Sequence, residues 1–171
     1  MSDASTGLAE LIRRVEGYIE TPTQTLPEEV FLFISRISPL VNVDLLIQDD
    51  RGRTLLTWRS DRFFGPGWHV PGGIIRHKET AADRIRAVAK LELAASITFE
   101  PAPILVHESI RPDQRDRAHA ISLLYRCRLA SDLNELSQFT PGAPLPDQWQ
   151  WHERCPENLI PEQRAYCPFI G

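Results

Sequence analysis

Gly65-Pro-Gly-Trp-His-Val-Pro-Gly-Gly-Ile-Ile-Arg-His-Lys-Glu-Thr80, followed by Ala81-Ala-Asp-Arg-Ile-Arg-Ala-Val-Ala-Lys-Leu-Glu-Leu-Ala-Ala95, reads as loop, short strand, glycine turn and helix. Pro71 fixes φ and ends strand pairing, while Gly72 and Gly73 permit backbone angles that other residues avoid and let a ligand approach the main chain. Thr80 followed three residues later by Asp83 is a helix-start signal, in which the hydroxyl satisfies an orphan amide. The spacing predicts a helix from Thr80 to near Ala94. At about 100° per residue, Ala81, Ile85, Val88, Ala89 and Leu93 fall on one side and Asp83, Arg86 and Lys90 on the other. Glu92 does not join the charged side. It projects between Val88 and Ala89, one turn earlier, on the stripe that should face the core. A carboxylate there is costly unless it is paired or binds a metal. An ion pair with an arginine of a neighbouring strand, a helix rotated enough to wet Glu92, and a metal site all satisfy it.

Gly73, five residues, Glu79, seven residues and a helix carrying Glu92 together resemble the frame of the Nudix box. Members of that family hydrolyse nucleoside diphosphates linked to another group. The frame usually closes with Arg-Glu-apolar-x-Glu-Glu-x-Gly-apolar, and this chain has Ala87-Val88-Ala89-Lys90-Leu91-Glu92-Leu93-Ala94-Ala95 instead. Ala87 replaces the arginine, Val88 and Leu91 replace two helix glutamates, and Ile74 stands where the family has an arginine after the glycines. Only Glu92 remains of the helix acids.

The reduced pattern is similar to that of the GDP-mannose mannosyl hydrolases within the family. The similarity includes Ser38-Pro39-Leu40-Val41, Val43-Asp44-Leu45, Arg51-Gly52, Trp68, Val70-Pro71-Gly72-Gly73 and Arg164-Ala165-Tyr166, and it covers roughly residues 27 to 168. It implies an α/β (α+β) fold, a Nudix-like α/β/α sandwich with a mixed sheet over residues 27–171, preceded by an N-terminal helical extension over residues 1–26. It further implies one magnesium ion (Mg2+) held by Glu92, the carbonyl of Gly72 and Gln148. Asp44 would touch the base or sugar, Arg59 and Arg62 would clamp the diphosphate, and His119 would contact it. Glu92, Arg59 and His119 are thus the expected catalytic groups. The implied reaction is hydrolysis of a nucleoside diphosphate sugar, GDP-sugar and water giving GDP and sugar, by a homodimer.

The family's catalytic histidine follows its metal-binding glutamine, but Trp149 follows Gln148 here. Asp147, His152 and His107 are the groups left to act as base. Loss of so much charge from the box keeps a second reading open, a Nudix fold that binds a nucleotide or a partner without catalysis.

On general grounds Asp44 is as well read as a solvent-facing acid on its strand, His119 as a surface histidine, and Arg59 with Arg62 as a surface pair beside a glycine loop. Guanidinium forks at a strand end do suit phosphate oxygens.

At 171 residues, with 42% hydrophobic and 25% charged residues, the composition is that of one ordinary globular domain. No apolar run approaches the roughly 20 residues that span a bilayer, and Met1-Ser2-Asp3-Ala4-Ser5 lacks a basic then apolar signal pattern, so no membrane partner and a cytoplasmic location are expected. A net charge of −4 argues against general nucleic-acid binding. Cys127, Cys155 and Cys167, widely spaced, read as reduced thiols.

Outward from the central stretch, Thr6 to Glu20 predicts an amphipathic helix, broken by Thr21 to Pro27, and Glu28 to Ile37 a second helix with acids at its start. Leu40 to Gln48 alternates Val41, Val43, Leu45 and Ile47 to one side, and Arg53 to Arg59 returns after the turn Asp49-Asp50-Arg51-Gly52, which predicts a hairpin. Ile97 to Phe99, Pro103 to Ile110 and Ala120 to Leu129 read as further strands. Arg111 to Arg117 reads as a charged loop, residues 130–148 as a polar, proline-rich loop, and Pro161 to Phe169 as a last helix.

Overall fold

The computed structural model describes residues 2–171, with side chains described from residue 7 onward. Met1, where the reading of the N-terminus begins, lies outside the described residues.

Strand β1 (Leu40–Ile47) is the centre of the molecule. It pairs in parallel with β7 (His119–Leu129) and antiparallel with β4 (Gly72–Ile74). On its other side β7 pairs antiparallel with β5 (Ile97–Phe99) and β6 (Leu105–Ile110), which completes a mixed five-stranded sheet. A second, antiparallel sheet has the order β3 (Gly67–His69), β2 (Thr54–Arg59), β8 (Trp149–His152).

The expected hairpin of β1 and β2 therefore divides between two sheets. In place of a ladder they share the isolated bridge of Gln48 with Thr54, beside a turn held by the Asp49 carboxylate, which accepts from the amides of Arg51 and Arg53 at 3.0 and 2.9 Å. The reason is burial on both faces. In β1 Val43, Leu45 and Ile47 pack with Ile85, Val88, Ala89 and Leu93 of helix α3, while Leu46 on the opposite face packs with Leu56, Trp68, Val70, Leu124 and Tyr166. A strand covered on both sides leaves no solvent face for its polar members. Asp44 is accordingly 5% exposed rather than solvent-facing.

Helix α1 runs Ser2–Glu16, earlier than the spacing predicts, and ends at Gly17, whose amide donates to the Arg13 carbonyl at 3.1 Å. Leu8, Leu11, Ile12 and Val15 remain exposed along it. Helix α2 spans Glu28–Ile37, with Glu28 and Glu29 at its positive end. Helix α3 spans Ala81–Leu93. The Thr80 hydroxyl accepts from the Asp83 amide at 3.1 Å, and Ala94 closes the helix in the left-handed region at φ 52°.

Gly72 and Gly73 do not adopt positive φ. Their lack of a side chain serves proximity instead: a Cβ on Gly72 would overlap the Asp44 carboxylate, and one on Gly73 would come within 2.8 Å of Val88 Cγ2 on α3. The last expected helix forms as a 3-10 helix, Pro161–Phe169. It lies back against the end of β8, so Cys155 and Cys167 are joined by a disulfide with Cα atoms 5.1 Å apart, in place of two reduced thiols. Cys127 is a buried free thiol. Among the described residues no helix is long and apolar enough to cross a membrane.

Candidate functional site

A pocket of about 480 Å³ opens where β1, β4 and β7 of the larger sheet meet the loops after β2, β6 and before β8. Of the residues singled out in the sequence, Asp44, Arg59, Gly72 and Glu92 line it. Arg62, His119 and Gln148 do not. Arg62 is exposed, paired with Glu28 and stacked on Phe63. His119 Nε2 lies 2.9 Å from Glu108 on the neighbouring strand β6. Gln148 turns its side-chain oxygen to the Leu145 amide at 2.9 Å, within its own loop.

The acidic part of the lining gathers around Asp44. Tyr166 donates its hydroxyl to Asp44 Oδ2 at 2.6 Å, and Ser122 lies beside them. Burial pushes the Asp44 carboxyl up to about 6, against the pull of hydrogen bonds from Tyr166 and Ser122 and of the nearby His69. Burial also raises the Tyr166 hydroxyl, with the Asp44 charge adding to it.

Glu92 reaches the same pocket from α3, with its side chain 26% exposed. Its neighbour is not an arginine of a strand but His69, Nε2 to Oε2 3.6 Å. His69 Nδ1 is 2.9 Å from the Thr57 carbonyl, a partner that can only accept, so Nδ1 carries a proton directed at it. The 3.6 Å between Nε2 and the Glu92 carboxylate is too wide for a good hydrogen bond. Glu79, the other acid of the frame, is tied to Arg84 at 2.8 Å and accepts from the Arg76 amide at 2.9 Å, so it braces the turn before α3.

The pocket has a basic part as well. The guanidinium carbons of Arg59, Arg111 and Arg117 lie 4.3, 4.3 and 4.7 Å from the centre of the Phe64 ring. Asp61 holds this arrangement, accepting from Arg59 Nε at 2.6 Å and from the amides of Phe63 and Phe64 at 2.7 and 3.0 Å. Gly65 lets the loop fold back on β2, since it sits at φ 87° and a Cβ there would strike the Arg59 carbonyl. Arg111 and Arg117 belong to the loop read from the sequence only as charged. Their part in the site, like those of Asp61, Phe64, His69, Ser122 and Tyr166, was not read from the sequence. Their proximity depends on strand pairings far apart in the chain.

Of the three groups left to act as base, Asp147 lines the pocket, held at φ 67°, while His107 and His152 do not line it. Burial lowers the His152 imidazole to about 4, and its ring lies 4.9 Å from that of Trp68.

The oxygen donors Glu92 and the Gly72 carbonyl suit magnesium, which commonly takes one or two carboxylates and completes its shell with water and substrate phosphates. Among the described residues no group of three or more histidine, cysteine or acidic side chains is placed to hold a metal.

No protein-family model matches the chain. A relative in sequence is the low-salt glycan biosynthesis protein Agl8 of Haloferax volcanii, 36% identical over 81 residues, which are 47% of this chain and 51% of that protein. The chain thus spans about half the length of that curated relative. Among solved structures, a MutT Nudix hydrolase from Burkholderia pseudomallei superposes with a TM-score of 0.58 at 20% identity, over 78% of this chain and 99% of that one. A UDP-X diphosphatase superposes with a TM-score of 0.53 at 18% identity, over 95% and 88% of the two chains. The two sheets and flanking helices of this chain are the fold of the Nudix hydrolases.

Proposed function

We propose that the protein is a magnesium-dependent hydrolase of nucleoside diphosphate sugars, of the kind that converts a GDP-sugar and water to GDP and sugar. The observation that carries this reading is that Glu92, the one helix acid the frame retains, lines the same pocket as Gly72 and Arg59. Glu92 and the Gly72 carbonyl would hold the metal. Gln148 would join them only if its loop released the Leu145 amide. A bound magnesium ion supplies positive charge against the departing diphosphate.

The chain's own residues do the rest. Arg59 offers a guanidinium to the phosphate oxygens. Asp44, held by the Tyr166 hydroxyl, would receive a hydroxyl of the sugar or a donor of the base. Asp147 would take the proton of the attacking water, whose oxygen bonds to the sugar carbon, or to the phosphorus next to the sugar, as the bond from that atom to the oxygen bridging sugar and diphosphate breaks. A diphosphatase acting on UDP-linked compounds and a glycan biosynthesis protein among the similar proteins support a sugar-nucleotide substrate by analogy.

One observation favours the non-catalytic reading. With Glu79 tied to Arg84 and no group of three ligands among the described residues, the metal would be held sparsely. Incubation with a panel of GDP-, UDP- and ADP-sugars, with and without magnesium, decides between the two. Free sugar and nucleoside diphosphate are expected only with the metal, whereas an uncleaved panel that still binds would leave a nucleotide-binding protein.

A further inference from the structure

The basic part of the pocket carries more charge than the residues around it neutralise. Arg59 is paired with Asp61 at 2.6 Å and Arg111 with Glu162 at 3.0 Å. Arg117 has no carboxylate within ion-pair distance among the described residues, and its Nε is buried without an acceptor. Its backbone, by contrast, is fastened at both ends. The amide donates to Ser35 Oγ at 3.1 Å and the carbonyl accepts from Arg111 Nη2 at 2.6 Å.

Arg117 is also held at φ 54°, a left-handed conformation that costs an arginine free energy and persists only where surrounding contacts impose it. Three guanidinium groups against one phenyl ring repel each other. Stacking accounts for the contact of each with the ring, but not for assembling all three on the wall of a cavity. Burial, and after it the charge of Arg59, with Arg111 and Arg62 adding, pulls Arg117 down to about 10, in the direction expected of a cation short of anions.

We infer that Arg117, with Arg111 and Arg59, forms a phosphoryl-binding wall that holds the diphosphate of the ligand directly, without a metal between. All three guanidinium carbons lie against the same ring, and all three arginines line the same pocket. Planar forks presenting paired donors match the geometry of phosphate oxygens. The assignment rests on the nucleotide-sugar reading for the identity of the ligand, but it places the diphosphate on different residues from those of the metal.

The test uses the full chain in chelator, titrated calorimetrically with inorganic pyrophosphate. The wild-type chain is expected to bind. Arg117→Met, which keeps the apolar stem against Phe63 and Phe64, is expected to weaken binding roughly ten-fold or more, as befits loss of a charge-assisted contact. Arg117→Lys should restore part of it, and Arg128→Gln, which removes an arginine outside the pocket, should bind like wild type. Thermal melting shows whether the Met variant is folded. If it is not, Arg59→Gln removes another guanidinium from the same ring and carries the same expectation.

Failure of the wild-type chain to bind pyrophosphate without metal, or equal binding by the arginine variants, overturns the wall. So does an equal loss of binding in Arg128→Gln. None of these results touches magnesium-dependent product release, so failure of the wall and failure of the hydrolase reading are separate outcomes.

Discussion

Asp44 shows how a residue is changed by the strand that carries it. In the unfolded chain its carboxyl titrates near the ordinary 3.8, and in the folded chain, buried under Tyr166, at about 6. The folded chain therefore holds the extra proton between those values. Its contribution to stability is fullest below about 4, falls as pH rises to about 6, and is level above that. The whole effect is about 3 kcal/mol at most. Urea unfolding of the metal-free chain at acidic and neutral pH should show this component. Asp44→Asn, which still accepts from Tyr166, should remove it, and a variant with an unchanged pH dependence contradicts the assignment. The same burial explains Gly72, because the carboxylate occupies the space that a Cβ on this residue would fill.

At the scale of elements, α3 is set by local chemistry. Thr80 accepts from the Asp83 amide at the first turn, so Thr80→Ala should cost about 1 kcal/mol in chemical denaturation. No loss would mean that the cap is idle. Helices α2 and α3 and the frame around Glu92 are legible in the sequence because capping, periodicity and the displaced acid are all local signals. What sequence spacing does not carry is partnership between distant segments. β1 and β2 alternate and turn like a hairpin, yet each finds its partners elsewhere: β1 in β7, some 80 residues on, and β2 in β8, some 95 residues on. The disulfide of Cys155 with Cys167 depends on the chain turning back after β8, and the basic wall on Arg111 and Arg117 crossing to Phe64. Asp44, Arg59, Gly72 and Glu92 were nominated through motif positions and meet at the pocket. Arg62, His119 and Gln148 were nominated in the same way and find nearer partners outside it, because a motif fixes order along the chain but not which acceptor stands closest in space.

Over the whole molecule, packing the two sheets against each other creates a pocket with carboxylates in one part of its wall and guanidinium groups in another. That division suits a ligand whose diphosphate faces the arginines and whose reacting bond lies near the acids. The exposed stripe of α1, Leu8, Leu11, Ile12 and Val15, lies outside the lining of the pocket. Everything proposed for the chemistry requires a cation at Glu92. The direct measurement is magnesium titration of chelator-stripped protein, wild type against Glu92→Gln, by calorimetry. Saturable binding in the wild type that is lost in the variant is the predicted result, and equal affinity in the two chains would contradict it.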